Sequence, residues 1–168
     1  MAKAFIPGDI VDFAIEIETK GYEFYTETAK KFDRIKIIKL FHLLAEQELR
    51  HEHRFKQMKE KGATFIPGDS LAKIYDMYRH ESGAAFIFGD PAAVRRHLES
   101  VASVEKAIDL AIAFEKDTVV LYAGIKKHID NENKGFIEEI INEELEHIVK
   151  LMELKKTYNE ELSRGENY

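Results

Sequence analysis

Apolar residues recur at helical spacing in four long stretches of this chain. From about Asp9 to Lys31, Ala14, Ile17, Gly21, Phe24, Tyr25 and Thr28 share one side of a helix, with Asp9 a candidate N-cap after Pro7-Gly8. From about Arg34 to Lys61, Phe41, Leu44, Phe55 and Met58 mark an inner face, with Asp33 a candidate cap and Gly62 a candidate stop. A third stretch runs from about Val104 to Ile129 behind Ser103. A fourth runs from about Lys134 to Leu162 and carries Ile137, Ile140, Ile141, Ile148 and Leu151. Helices over 9–31, 34–61, 104–129 and 134–162 make the chain all-α, and a single domain over 1–168 is expected.

Short turns at Phe32-Asp33 and at Asp130–Asn133 make two antiparallel hairpins. Residues 62–102 are too many for a turn and read as a crossover, with short helices over Asp69–His80 and Pro91–Glu99. The segment Phe5-Ile6-Pro7-Gly8-Asp9 recurs as Phe65-Ile66-Pro67-Gly68-Asp69, and loosely as Phe86-Ile87-Phe88-Gly89-Asp90. A reused helix start explains this repeat, and partner docking is the alternative.

The inward faces also carry charge in a repeated order. Glu18, Tyr25 and Glu48-Leu49-Arg50-His51 recur about 97 residues along as Glu115, Tyr122 and Glu144-Leu145-Glu146-His147. In an antiparallel hairpin, residues equally far from the turn lie level. Glu18 and Glu48 are centred on residue 33, and Glu115 and Glu144 between 129 and 130. Each Glu is thus about 15 residues, roughly 22 Å, from its turn. Packing the hairpins face to face brings four carboxylates into one layer. His51 and His147, three residues after a Glu, join them on the same face. Tyr25 and Tyr122 are the candidate catalytic residues, able to orient ligand carboxylates by hydrogen bonding; core packing is the rival explanation for both.

Four carboxylates in an apolar core would each cost several kcal/mol or take up protons, whereas two divalent ions neutralise them. Six oxygen and nitrogen donors without thiolate suit iron or manganese better than copper or structural zinc, although zinc could occupy the site adventitiously. A single Glu-x-x-His carries little weight, and the weight here lies in the repetition. His42, His53, His80, His97 and His128 fit no ligand spacing.

Composition narrows the rest. The 168 residues are 45% hydrophobic and 33% charged, and nine Gly with three Pro allow long helices. A net charge of −6 argues against nucleic acid and anionic membrane as partners. No apolar run reaches the roughly 20 residues of a membrane span, and a cytoplasmic protein is expected. Cysteine is absent, so thiolate nucleophiles, zinc–thiolate knots and Cys-ligated clusters are excluded.

Ala14–Glu18 with Phe24-Tyr25, Leu44–His51, Ala111–Glu115 with Tyr122, and Ile141–His147 resemble the rubrerythrin branch of the ferritin-like superfamily. The resemblance implies a ferritin-like antiparallel four-helix bundle holding two iron ions. Mapped by motif, the implied ligands are Glu18, Glu48, His51, Glu115, Glu144 and His147, with Glu48 and Glu144 bridging. It also implies a homodimer, sometimes helix-swapped. Two departures stand out. Without Cys, the chain lacks the rubredoxin-like domain that feeds electrons to full-length rubrerythrins. The family's additional Glu, three residues after the third-helix ligand, is Thr118 here.

The expected function is therefore a di-iron oxidoreductase reducing hydrogen peroxide, or dioxygen, with electrons from an external donor such as a rubredoxin-like protein. Manganese or zinc substitution is compatible with the donors. The alternatives are a ferroxidase or iron-handling protein, and a non-enzymatic helical interaction protein.

Overall fold

The structure is a computed structural model that describes residues 9–63, 72–73 and 92–165. Every regular element among them is an α-helix: α1 (Asp9–Ala29), α2 (Ile35–Glu60), α3 (Ala93–Ser100), α4 (Val104–His128) and α5 (Asn131–Ser163). α1 pairs with α2 and α4 with α5, forming the two hairpins that the apolar spacing predicts, and α3 packs on α1. No described helix is long and apolar enough to cross a membrane.

The helix ends show which local signals operate. Ser103 caps α4, its hydroxyl accepting the Lys106 N–H at 3.2 Å. Gly62 adopts φ 75°, a left-handed conformation that costs glycine little. Its N–H donates to the Lys59 carbonyl, and the Ala63 N–H to that of Met58, closing a Schellman motif. Two expectations need correction. Asp33 does not cap α2: Arg34 holds that position without a side-chain cap. Its guanidinium lies instead over the Tyr158 ring, 4.9 Å from the centroid. α5 starts at Asn131 rather than Lys134, because Asp130 accepts the Asn133 N–H at 3.0 Å and draws the turn into the helix. The expected Pro91–Glu99 helix is α3, shifted slightly. Of Asp69–His80, residues 72–73 are described and helical. The rest of that segment, the Asp9 side chain and the Phe-Ile stretches of the repeat lie outside the described residues.

The hairpins meet across a core of Phe13, Phe24, Phe41, Leu44, Phe55, Phe114, Leu121, Ile137, Ile140 and Leu151, all buried. α2 lies beside α5 in antiparallel register: Lys36 meets Glu161 near one end and Arg54 meets Glu139 farther along. The internal repeat extends to the surface. Lys59 pairs with Asp12 in one hairpin, and Lys155 with Asp109 in the other, each at 2.5 Å. Exposed pairs of this kind are worth under about 1 kcal/mol. They nevertheless mark equivalent positions in two halves built alike.

Candidate metal centre

Each of the four long helices contributes polar side chains at one level of the bundle. Glu18, Glu48, His51, Glu115, Glu144 and His147 are all fully buried. Their donor atoms form two overlapping quartets, each within a 4.8 Å span: Glu18, Glu48, His51 and Glu144; and Glu48, Glu115, Glu144 and His147. Glu48 and Glu144 belong to both. The spacing in the sequence predicts that these six converge, and the structure brings all six together.

The imidazoles enter alike. Nδ1 of His51 lies 3.0 Å from Glu144 Oε1 and 3.6 Å from Glu18 Oε2. Nδ1 of His147 lies 2.8 Å from Glu144 Oε2 and 3.3 Å from Glu115 Oε1. The two rings run nearly parallel, 5.9 Å apart between centroids.

The tyrosines bind across the bundle. Seven residues along a helix is about 10 Å, too far for Tyr25 to reach Glu18 on its own helix. Tyr25 instead donates to Glu115 at 2.5 Å, and Tyr122 donates to Glu18. The reciprocal pairs show that α1 and α4 run antiparallel, each steadying the other's carboxylate. Thr118 fills its site differently. It is buried, and its hydroxyl donates to the Glu115 carbonyl at 2.8 Å, so it contributes no donor to the centre.

Gly21 sets the spacing on the α1 side. A Cβ there would run into Glu48 Oε2 and would come within 2.8 Å of the Phe114 ring. Two side chains that sequence reasoning left without a role lie behind His51. Its Nε2 is 2.9 Å from Glu143 Oε2, and Arg54 holds Glu143 at 3.0 Å and Glu139 at 2.6 Å. The signal available in the sequence was the position of Glu143, directly before Glu144.

Burial and the crowding of like charges shift how tightly the groups of the cluster hold their protons. Burial, and then the nearby Glu144, Glu18 and Glu115, push the Glu48 carboxyl well above its usual range. Burial and Glu144 raise Glu115 to about 8. Burial opposes charging of the imidazoles. Glu18 and the bonds to Glu143 and Glu144 outweigh it and carry His51 to about 12, while Glu115 and Glu144 carry His147 to about 9. Glu144 is also disfavoured by burial, but its bonds to both imidazoles hold it below the carboxylate range. Burial, with adjacent Glu115 or Glu18, raises both tyrosines, so they stay protonated donors.

Apart from their contacts with one another, eight carboxylate oxygens and imidazole Nδ1 atoms of these six residues have no hydrogen-bond partner among the described residues: Glu18 Oε2, both oxygens of Glu48 and of Glu144, Glu115 Oε2, and Nδ1 of His51 and His147. Orphaned acceptors at such depth are costly, and cations are the groups that satisfy them together. The donors thus fit a pair of metal ions bound through oxygen and nitrogen. A surface cleft lies elsewhere, at the α1–α2 turn between Arg34, Lys36, Tyr158 and Glu161, away from these donors.

The rubrerythrin family profile matches residues 9–68, which include the first hairpin. A crystal structure from Thermotoga maritima, provisionally described as a ferritin-like diiron-carboxylate protein, is similar over 90% of this chain and 95% of its own. The sequence identity is 29% and the TM-score 0.66. No curated protein matches. With the profile match over the first hairpin and the structural likeness over nearly the whole chain, this is a rubrerythrin-like protein of ferritin-like fold.

Proposed function

We propose that this protein is a non-haem di-iron oxidoreductase that reduces hydrogen peroxide, or less readily dioxygen. The observation that carries this reading is the pair of buried donor quartets sharing Glu48 and Glu144. Glu18 and His51 would hold one ion, Glu115 and His147 the other, and Glu48 and Glu144 would bridge them. Bound there, two iron ions supply Lewis acidity and a store of two electrons. The chain supplies the rest. Tyr122 and Tyr25 fix the orientation of Glu18 and Glu115. The surrounding Phe24, Phe41, Phe55 and Phe114 keep bulk water out. Reduction of peroxide takes two electrons and two protons and yields two waters. The electrons would come from an external donor such as a rubredoxin-like protein, since these 168 residues have no cysteine with which to hold a thiolate cluster. A cytoplasmic homodimer completes the reading, and manganese or zinc could replace iron in such donors.

A ferroxidase is the second reading. The observation favouring it is Thr118, whose hydroxyl is committed to the Glu115 carbonyl where a fifth carboxylate would otherwise stand. Stopped-flow oxidation separates the two. Protein loaded without oxygen with two iron(II) per chain should oxidise much faster with peroxide than with dioxygen. Equal or faster oxidation by dioxygen would replace the peroxidase reading with the ferroxidase one.

A further inference from the structure

His51 and His147 present the same nitrogen to the centre but are held differently from behind. His51 Nε2 lies 2.9 Å from the Glu143 carboxylate, itself fixed by Arg54. Nε2 of His147 is buried and has no hydrogen-bond partner among the described residues. The repeat explains the difference. Glu143 directly precedes Glu144, and the residue directly preceding Glu48 is Gln47. Gln47 is 8% exposed, and its Oε1 is also without a partner among the described residues. Where one half of the bundle carries a carboxylate, the other carries a neutral amide.

The donor sets of the two halves match. Each quartet has three carboxylates and one imidazole, and two of the carboxylates are common to both. Each terminal Glu receives one tyrosine hydroxyl. The halves also differ at the equivalent positions Gly21 and Thr118, but the group behind the histidine is the difference that touches an imidazole. A carboxylate accepting the Nε2 proton makes Nδ1 a stronger donor and locks the ring's orientation. The Arg54 charge does not cancel this, because it is shared between Glu143 and Glu139.

We propose that the two ion positions are unequal, the His51 position binding more tightly, and that Glu143 is the positioning residue responsible. This rests on the di-iron reading above. The ions would then load in order, the His51 position first.

Cobalt(II) titration of the metal-free protein by calorimetry tests this without any turnover. Two ions should bind in two steps. In Glu143→Gln the first step should weaken about 10- to 100-fold. The second should hardly move, because the tight position has only fallen to the level of its neighbour. Equal positions would give the opposite result, a second step that weakens while the first holds. That result, or no change in either step, overturns the proposal. If Glu143→Gln does not fold, Gln47→Glu decides the matter. Unequal positions predict that its second step tightens by a similar factor, and tightening of the first step instead overturns the proposal. Failure of the unsubstituted protein to bind cobalt would sink the di-iron reading together with the proposal, which distinguishes the two failures.

Discussion

At Gly21 the centre is built by an absence. The glycine hydrogen faces Glu48 Oε2 and the Phe114 ring, and any side chain would have to displace one of them. Gly21→Ala should cost about 1–3 kcal/mol by overpacking, even though alanine is the better helix former. It should also lower metal affinity through Glu48, and a melting curve with a metal titration reads both effects. Tyr122→Phe deprives the buried Glu18 of its donor and should cost about 1–3 kcal/mol. Tyr25→Phe does the same to Glu115 and should cost a similar amount. If the tyrosines only filled space, both variants would melt like the unsubstituted protein. At this scale the convergence of the six side chains was legible in the sequence, because helical geometry turns a spacing into a face. The tyrosine partners were not, because each bond crosses between hairpins and depends on how α1 and α4 pack.

Among the elements, sequence reasoning succeeded where one residue decides the geometry. Ser103 and Gly62 act as their chemistry predicts. Asp33 failed because Arg34 intervenes at the cap position, its side chain drawn to Tyr158 and Glu161 on the neighbouring helix. Nothing local could reveal that tertiary pull. Two glycines offer a test with opposite signs. Gly62 has φ 75°, and no atom lies within 4 Å of the place a Cβ would take, so Gly62→Ala isolates backbone strain. It should cost roughly 1–2 kcal/mol. Gly135 lies within α5, also in open space but at an ordinary helical φ. Gly135→Ala should therefore stabilise by about 0.5–1 kcal/mol. Thermal melts that move both variants the same way would contradict this account of the helix ends.

For the molecule as a whole, the centre ties stability to pH. Glu115 titrates at about 8 against an ordinary 4.5, and His147 at about 9 against 6.5. Both hold protons more tightly when folded. The stability they lend is complete below the ordinary values. It is lost between 4.5 and 8 for Glu115, and between 6.5 and 9 for His147. Metal-free protein should therefore melt lower at pH 9 than at pH 6. A divalent ion takes the place of those protons and binds better as pH rises, so it should narrow or reverse the gap. Equal melting of the metal-free protein at both values would refute the proton-sharing cluster.

Two ions between the hairpins would complete the centre. A crystal grown with iron(II) under argon, with anomalous differences measured at the iron edge, tests that directly. Two peaks should appear per chain, both within ligand distance of Glu48 and Glu144, one beside Nδ1 of His51 and one beside Nδ1 of His147. No peak within the bundle, or iron bound only at surface carboxylates, would contradict it.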